Sequence, residues 1–233
     1  MKICIAGDEW ACGEFGFINN KYYGVTHKGI EQYLKDENIS VDNLSEKNAS
    51  NIKMFNKLNQ LDLKHFDYIL YFQIDPFKDL SIETIVETFS SLDKFKDAYK
   101  DCLQKHYERL QSLNVPIYLL GASDKINEAD LVNYSNLRLA IPSIMEFIIP
   151  TLEHPSVWPS GWEQYLTLQN QTLDPALVRY IIDEKVKRDV LMNKENSLVA
   201  KYFHPDGKQP NRLGHHELFT HIRKNLFKLE EEN

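Results

Sequence analysis

With 233 residues, 42% of them hydrophobic and 12% aromatic, the chain is long enough to bury one substantial core and demands no second domain. Its formal net charge of −7 argues against a general affinity for nucleic-acid backbones, which calls for clustered lysine and arginine, so no nucleic-acid partner is expected. No apolar run reaches the roughly 20 residues of a membrane helix, and Met1-Lys2 lead at once into a strand pattern that leaves no room for a signal peptide. The expectation is a cytoplasmic protein with no membrane partner. Three cysteines, Cys4, Cys12 and Cys102, are too few and too irregularly spaced for a disulfide framework or a four-ligand zinc site. Cys4 reads as a small core residue within the first strand.

In chain order, Ile3-Cys4-Ile5-Ala6 is the first strand, and it breaks at Gly7-Asp8. Residues 11 to 27, rich in Gly, Asn and Tyr, read as loop. Gly29 to Lys35 is a short helix with Ile30 and Leu34 on one face. Ser40 to Leu44 is a second strand, and Ala49 to Leu61 a helix with Ile52, Phe55 and Leu58 at helical spacing. Phe66 to Phe72, apolar nearly throughout, is a third strand of the kind buried on both faces. Ser81 to Leu113 has helical periodicity in one or two pieces, and Val115 to Leu120 is a fourth strand closed by Gly121.

Leu137 to Ile141 is a candidate fifth strand that Pro142 breaks. Residues 151 to 173, with Pro155, Trp158, Pro159 and Trp162, form an irregular aromatic insertion. Asp174 to Leu198 is a long helix with Pro175 in its first turn, and Asn211 to Leu229 a C-terminal helix that Asn211 caps. Strands alternating with crossover-length helices imply a single α/β domain with a parallel sheet and helices on both faces.

In such a sheet, ligands gather where strands end. The first strand delivers Asp8 and Glu9; the second is followed by the polar turn Asn43 to Asn51, which opens a helix and offers backbone N–H groups. The third delivers Gln73 and Asp75. Near the C-terminus come His204-Pro205-Asp206 and Gly214-His215-His216. Gly7-Asp8-Glu9-Trp10-Ala11-Cys12-Gly13, Asn48, Phe72-Gln73-Ile74-Asp75 and His204-Pro205…Gly214-His215, taken in this order, resemble the SGNH (GDSL-type) hydrolase superfamily, and more closely the small phage proteins of that kind.

The resemblance implies a three-layer α/β/α sandwich on a flavodoxin-like sheet, in a family of esterases, lipases and carbohydrate deacetylases. It places Glu9 at the serine nucleophile, Asn48 at the oxyanion-hole glycine, Ile74 at the oxyanion asparagine, and Lys201 at the triad aspartate, with His204 kept. A serine hydrolase needs a hydroxyl, a base and a carboxylate that orients the base. Here the hydroxyl is absent, and a cation at 201 would disfavour the His204 imidazolium. The backbone N–H of Asn48 remains a donor, since asparagine tolerates left-handed geometry, and Gln73 is the candidate replacement for the missing side-chain donor.

The resemblance therefore implies a degenerate triad and a pseudoenzyme that binds a small molecule bearing an ester, sugar or phosphate group, or acts as an interaction module. The alternative is an active hydrolase of esters, acetylated sugars or phosphoesters. It would use Asp8/Glu9 and His204 as an acid–base site, or through a divalent metal on Asp8, Glu9 and Asp75, with Mg²⁺ or Mn²⁺ as the only cofactor. A Glu9–Lys201 or Glu9–His204 contact would fill the old site. Cys12 is a remote candidate for a displaced nucleophile. His215, His216 and His221 read as solvated or capping, and His27 as capping or surface. Trp158, Trp162 and Tyr165 form either packing or an aromatic wall for a flat ligand.

Overall fold

The computed structural model describes residues 1–18, 21–78, 80, 82–122, 125–148, 174, 176–177, 180–181, 201–203 and 209–227. Five strands form one sheet: β1 (Lys2–Ala6), β4 (Ser40–Asn43), β5 (Tyr68–Gln73), β6 (Ile117–Gly121) and β7 (Leu137–Ile141). Their order is β4-β1-β5-β6-β7, and every pairing is parallel. Counted among themselves, these strands run 2-1-3-4-5, the flavodoxin-like doubly wound order. A separate antiparallel pair, β2 (Glu14–Ile18) and β3 (Lys21–His27), lies between β1 and β4 in sequence.

Parallel strands buried on both faces read as continuous apolar runs, and β1 shows why. Ile3, Cys4, Ile5 and Ala6 are all 0% exposed. Ile3 and Ile5 enter one core, with Leu70, Phe72 and Leu120, under α2 (Ile30–Asp36), α6 (Ile144–Ile148) and α7 (Arg212–Asn225). Cys4 and Ala6 enter the other, with Ile69, Tyr71, Ile117 and Leu119, under α3 (Asn51–Asn59) and α5 (Leu92–Gln111). The result is the expected α/β/α layering. Burial pushes the Cys4 thiol up to about 12, so it is an inert core group, as the sequence indicated.

A smaller aromatic core sits beyond β5, where Phe77 meets Phe89, Phe95 and Tyr99 at ring-centroid distances of 5.4 to 5.7 Å. It joins α4 (Ile82–Thr88) to the first turns of α5 and to Leu177 and Ile181. The two helices confirm that Ser81 to Leu113 divides in two. Ser91 makes the division, its hydroxyl accepting from the Lys94 N–H at the start of α5.

Three expectations need correction. Residues 11 to 27 are not loop. After the one-turn helix α1 (Glu9–Cys12) the described residues form the antiparallel pair β2–β3, whose aromatic and β-branched residues were obscured in the sequence by glycine and asparagine. The buried face of α3 is Asn51, Met54 and Leu58, whereas Ile52 is 56% exposed. The helix begins after Ser50, which caps it, and the tie of Asn51 to Tyr71 and Ile74 turns Met54 inward instead of Phe55. His215, read as solvated or capping, is 0% exposed; its ring packs so closely on Gly29 that a Cβ there would lie 2.7 Å from its Cγ.

Of the helix expected over 174 to 198, the described Ala176, Leu177, Tyr180 and Ile181 are helical, Asp174 precedes them with its Oδ1 accepting from the Ala176 N–H, and the rest lies outside the described residues. The aromatic insertion, with Trp158, Trp162 and Tyr165, also lies outside them. Among the described residues no helix is long and apolar enough to cross a membrane.

Candidate functional site

The doubly wound order reverses at β1, with β4 on one side and β5 on the other; in sheets of this order the crevice that takes ligands lies at the carboxyl ends of the strands, at this switch point. β1 leaves the sheet through Gly7, whose φ is 158° and where an added Cβ would lie 2.7 Å from the Cβ of Phe72. Only glycine lets the chain turn that close to β5. Asp8 follows as the cap of α1, its Oδ1 accepting from the Trp10 N–H at 3.2 Å. Glu9 is then lifted to the rim, with its side chain 21% exposed.

The chain leaving β4 runs beside this turn, since the Glu46 N–H donates to the Gly7 carbonyl at 3.2 Å. The turn 46–49 closes through the Ala49 N–H on the Glu46 carbonyl, and Asn48 takes φ 59° within it. That left-handed conformation, which asparagine accepts, aims the Asn48 N–H at the crevice. It donates to Glu9 Oε2 at 3.0 Å. The group that the resemblance assigns to an oxyanion is thus held by the protein's own carboxylate.

β5 supplies the third wall. Asn51, at the start of α3, accepts from the Tyr71 hydroxyl and the Ile74 N–H and donates to the Ile74 carbonyl, which ties α3 to the strand end. Asp75 Oδ1 accepts from the Phe77 N–H at 2.8 Å, and the Lys78 N–H reaches the Asp75 carbonyl at 3.3 Å. With Phe77 anchored in its aromatic core, this turn sends Lys78 back across the crevice. Its ammonium lies 2.9 Å from Asp8 Oδ2 and 3.6 Å from Glu9 Oε2, and the side chain is only 16% exposed.

The electrostatics follow from the geometry. Burial pushes the Asp8 carboxyl up and the Glu9 carboxylate adds to this, opposed by Lys78 and the Trp10 N–H. Two carboxylates beside one ammonium leave the cluster with a formal charge of −1.

Several predicted site residues take other places. Gln73 is 4% exposed, and its Oε1 accepts from the Tyr107 hydroxyl of α5 at 2.7 Å. As the alternate partner of Phe72 along β5, it faces the α3–α5 layer with Tyr71, so it is not the substitute oxyanion donor. Lys201 is exposed, with its ammonium 4.7 Å from the Tyr202 ring centroid, and the hydrogen bond to Tyr202 raises its pKa. Among the described residues the cation that pairs with Glu9 is therefore Lys78 and not Lys201.

No group of three or more His, Cys, Asp or Glu that could hold a metal exists among the described residues. Asp8 and Glu9 turn to Lys78, and Asp75 turns to its own loop, so the three do not converge as a metal site. Cys12 lies 3.4 Å from the Asp8 carbonyl through its Sγ, and burial pushes the thiol up, so it is not an activated nucleophile. His27, expected as capping or surface, is half-buried and accepts from the Gly29 N–H at 3.0 Å; α2 itself has no side-chain cap. His204 and Asp206 lie outside the described residues, and with them any pairing of His204 with Glu9 or Cys12.

Lys78 was missed. Its signal was the Asp75-Pro76 turn, which folds the chain back so that the residue three positions after Asp75 returns to the strand end.

No family model matches the chain, and no curated protein matches it. Similar solved structures include a psychrotrophic esterase, EstA, from a Pseudoalteromonas species, at 12% identity and TM-score 0.45 over 97% of each chain. A lipase/acylhydrolase from Enterococcus faecalis is 11% identical, with TM-score 0.43 over 100% of this chain and 98% of that one. A structure described as TesA is 11% identical, with TM-score 0.41 over 99% and 100%. At these scores the likeness says nothing of the site, and the fold rests on the strand order itself.

Proposed function

We propose that this chain is a single-domain protein of the SGNH-hydrolase type that has lost the serine esterase mechanism and keeps its crevice as a binding site. The observation that carries this reading is the 3.0 Å hydrogen bond from the Asn48 N–H to Glu9 Oε2. In an esterase of this shape the first-strand residue attacks and the backbone N–H stabilises the oxyanion. Here one carboxylate replaces the nucleophile and occupies the donor, removing both functions together. The ligands in view are small molecules with an ester, sugar or phosphate group, in a cytoplasmic protein of the phage type.

A second reading, acid–base hydrolysis by Asp8 and Glu9, draws on the upward-shifted Asp8 carboxyl, since split carboxyls make acid–base pairs. Against it, Asp8 is 4% exposed and both its oxygens are engaged, by the Trp10 N–H and by Lys78.

Release of p-nitrophenol from p-nitrophenyl acetate tests the proposal. The wild-type protein and Glu9→Ser are both expected to match the buffer rate. In Glu9→Ser the new hydroxyl would stand beside the Asp8–Lys78 ion pair, and with Lys201 in place of the orienting carboxylate the His204 base would lack its support. Turnover by the wild type that falls at least tenfold in Asp8→Asn would overturn the proposal in favour of acid–base chemistry.

A further inference from the structure

The two donors around Glu9 are held in place by contacts that do not involve Glu9. The Asn48 N–H is set by the turn closed between Glu46 and Ala49, and Ala49 is 0% exposed. Lys78 is set by Asp8 at 2.9 Å and by the turn that Asp75 and Phe77 anchor. Glu9, in contrast, projects from a one-turn helix at the rim and is partly exposed. A preorganised backbone N–H and an ammonium converging on one carboxylate oxygen are the elements of an anion site. The occupant happens to be tethered.

Charge narrows the class of ligand. Without Glu9, Asp8 and Lys78 cancel, and one incoming negative charge restores the balance the cluster now has. A second negative charge would face the buried Asp8 carboxylate, and among the described residues one ammonium, that of Lys78, serves both acids. A carboxylate monoanion therefore fits better than a phosphate dianion.

We infer that the Asn48 N–H and Lys78 form a seat for a monocarboxylate, that Glu9 is its internal occupant, and that ligands with a free carboxylate enter by displacing Glu9. The inference rests on the proposed reading of the crevice as a binding site and names its ligand class.

The test titrates Glu9→Ala with sodium acetate against sodium chloride at equal ionic strength, read by the Asn48 amide resonance and by thermal unfolding. Expected are a saturable movement of the Asn48 amide and a rise in Tm beyond that given by chloride. Acetate should bind at least tenfold more weakly to the wild type, where Glu9 competes, and to Glu9→Ala/Lys78→Met. Phosphate at pH 8 should bind more weakly than acetate. Glu9→Ser offers the same vacated seat should Glu9→Ala fold poorly.

Absence of a saturable shift in both variants, or equal affinity with and without Lys78, would overturn the inference. Ester turnover by the wild type would sink the proposed function while leaving the acetate result standing, so the two failures are distinguishable.

Discussion

Asp8 and Glu9 are neighbours in sequence, yet the turn gives them different surroundings. Asp8 is drawn under the sheet edge as a cap and ion-pair partner, and Glu9 is left at the rim. Because burial raises the Asp8 carboxyl above its ordinary range, the folded state binds that proton more tightly than the unfolded chain does. The stabilisation linked to that proton is full below the ordinary carboxylate range and is lost as pH rises through the raised value. Asp8→Asn keeps an oxygen for the Trp10 N–H and removes the titration. In urea unfolding from pH 4 to pH 7, the wild type should therefore lose stability relative to Asp8→Asn as pH rises; parallel profiles would contradict the assignment.

The sequence made Asp8, Glu9 and Asn48 legible because a glycine-flanked strand end and a polar turn announce themselves locally. Lys78 was legible only in part: the Asp75-Pro76 turn announces itself, but its direction depends on the aromatic core that holds Phe77. The turning away of Gln73 was not legible, since it depends on the side to which β5 presents each residue.

At the level of elements, α5 carries a second titrating group of opposite sense. His106 is 2% exposed, its ring centroid 5.1 Å from that of Tyr71, and neither ring nitrogen has a hydrogen-bond partner among the described residues. Burial first, and then Arg109, lowers its pKa to about 3. The unfolded chain takes up that proton near the ordinary histidine value of about 6.5. The stability from a neutral His106 is thus present above that value and lost as pH falls towards 3. His106→Phe keeps an aromatic ring against Tyr71 and removes the proton uptake. Its acid-unfolding midpoint, followed by circular dichroism, should lie at least half a pH unit below that of the wild type (an order-of-magnitude expectation from the linkage slope), and an unchanged midpoint would contradict this account.

The strands of the main sheet were readable as elements because β1 and β5 are buried on both faces and so nearly unbroken in apolar character. The β2–β3 hairpin was not, because its glycines and asparagines carry the signature of loops as well as of tight hairpins. The apolar stripe of α3 was misplaced for a different reason. Ile52 satisfies the helical spacing, but the orientation of α3 is fixed by Asn51, whose side chain must reach Ile74 and Tyr71.

For the whole molecule, the parallel order 2-1-3-4-5 puts the crevice of such sheets at the point of reversal, and among the described residues three separate segments converge there: the β1 exit, the turn before α3 and the turn after β5. The architecture was foreseeable from alternating strand and helix patterns. What occupies the crevice was not, because it depends on how those segments meet. The central claim is that Glu9 closes this crevice on the Asn48 N–H, and amide NMR of the wild type against Glu9→Gln and Glu9→Ala tests it most directly. The account predicts that the Asn48 amide proton lies furthest downfield in the wild type and moves upfield in both variants, because each loses the charged acceptor. An Asn48 amide that ignores both substitutions would contradict it.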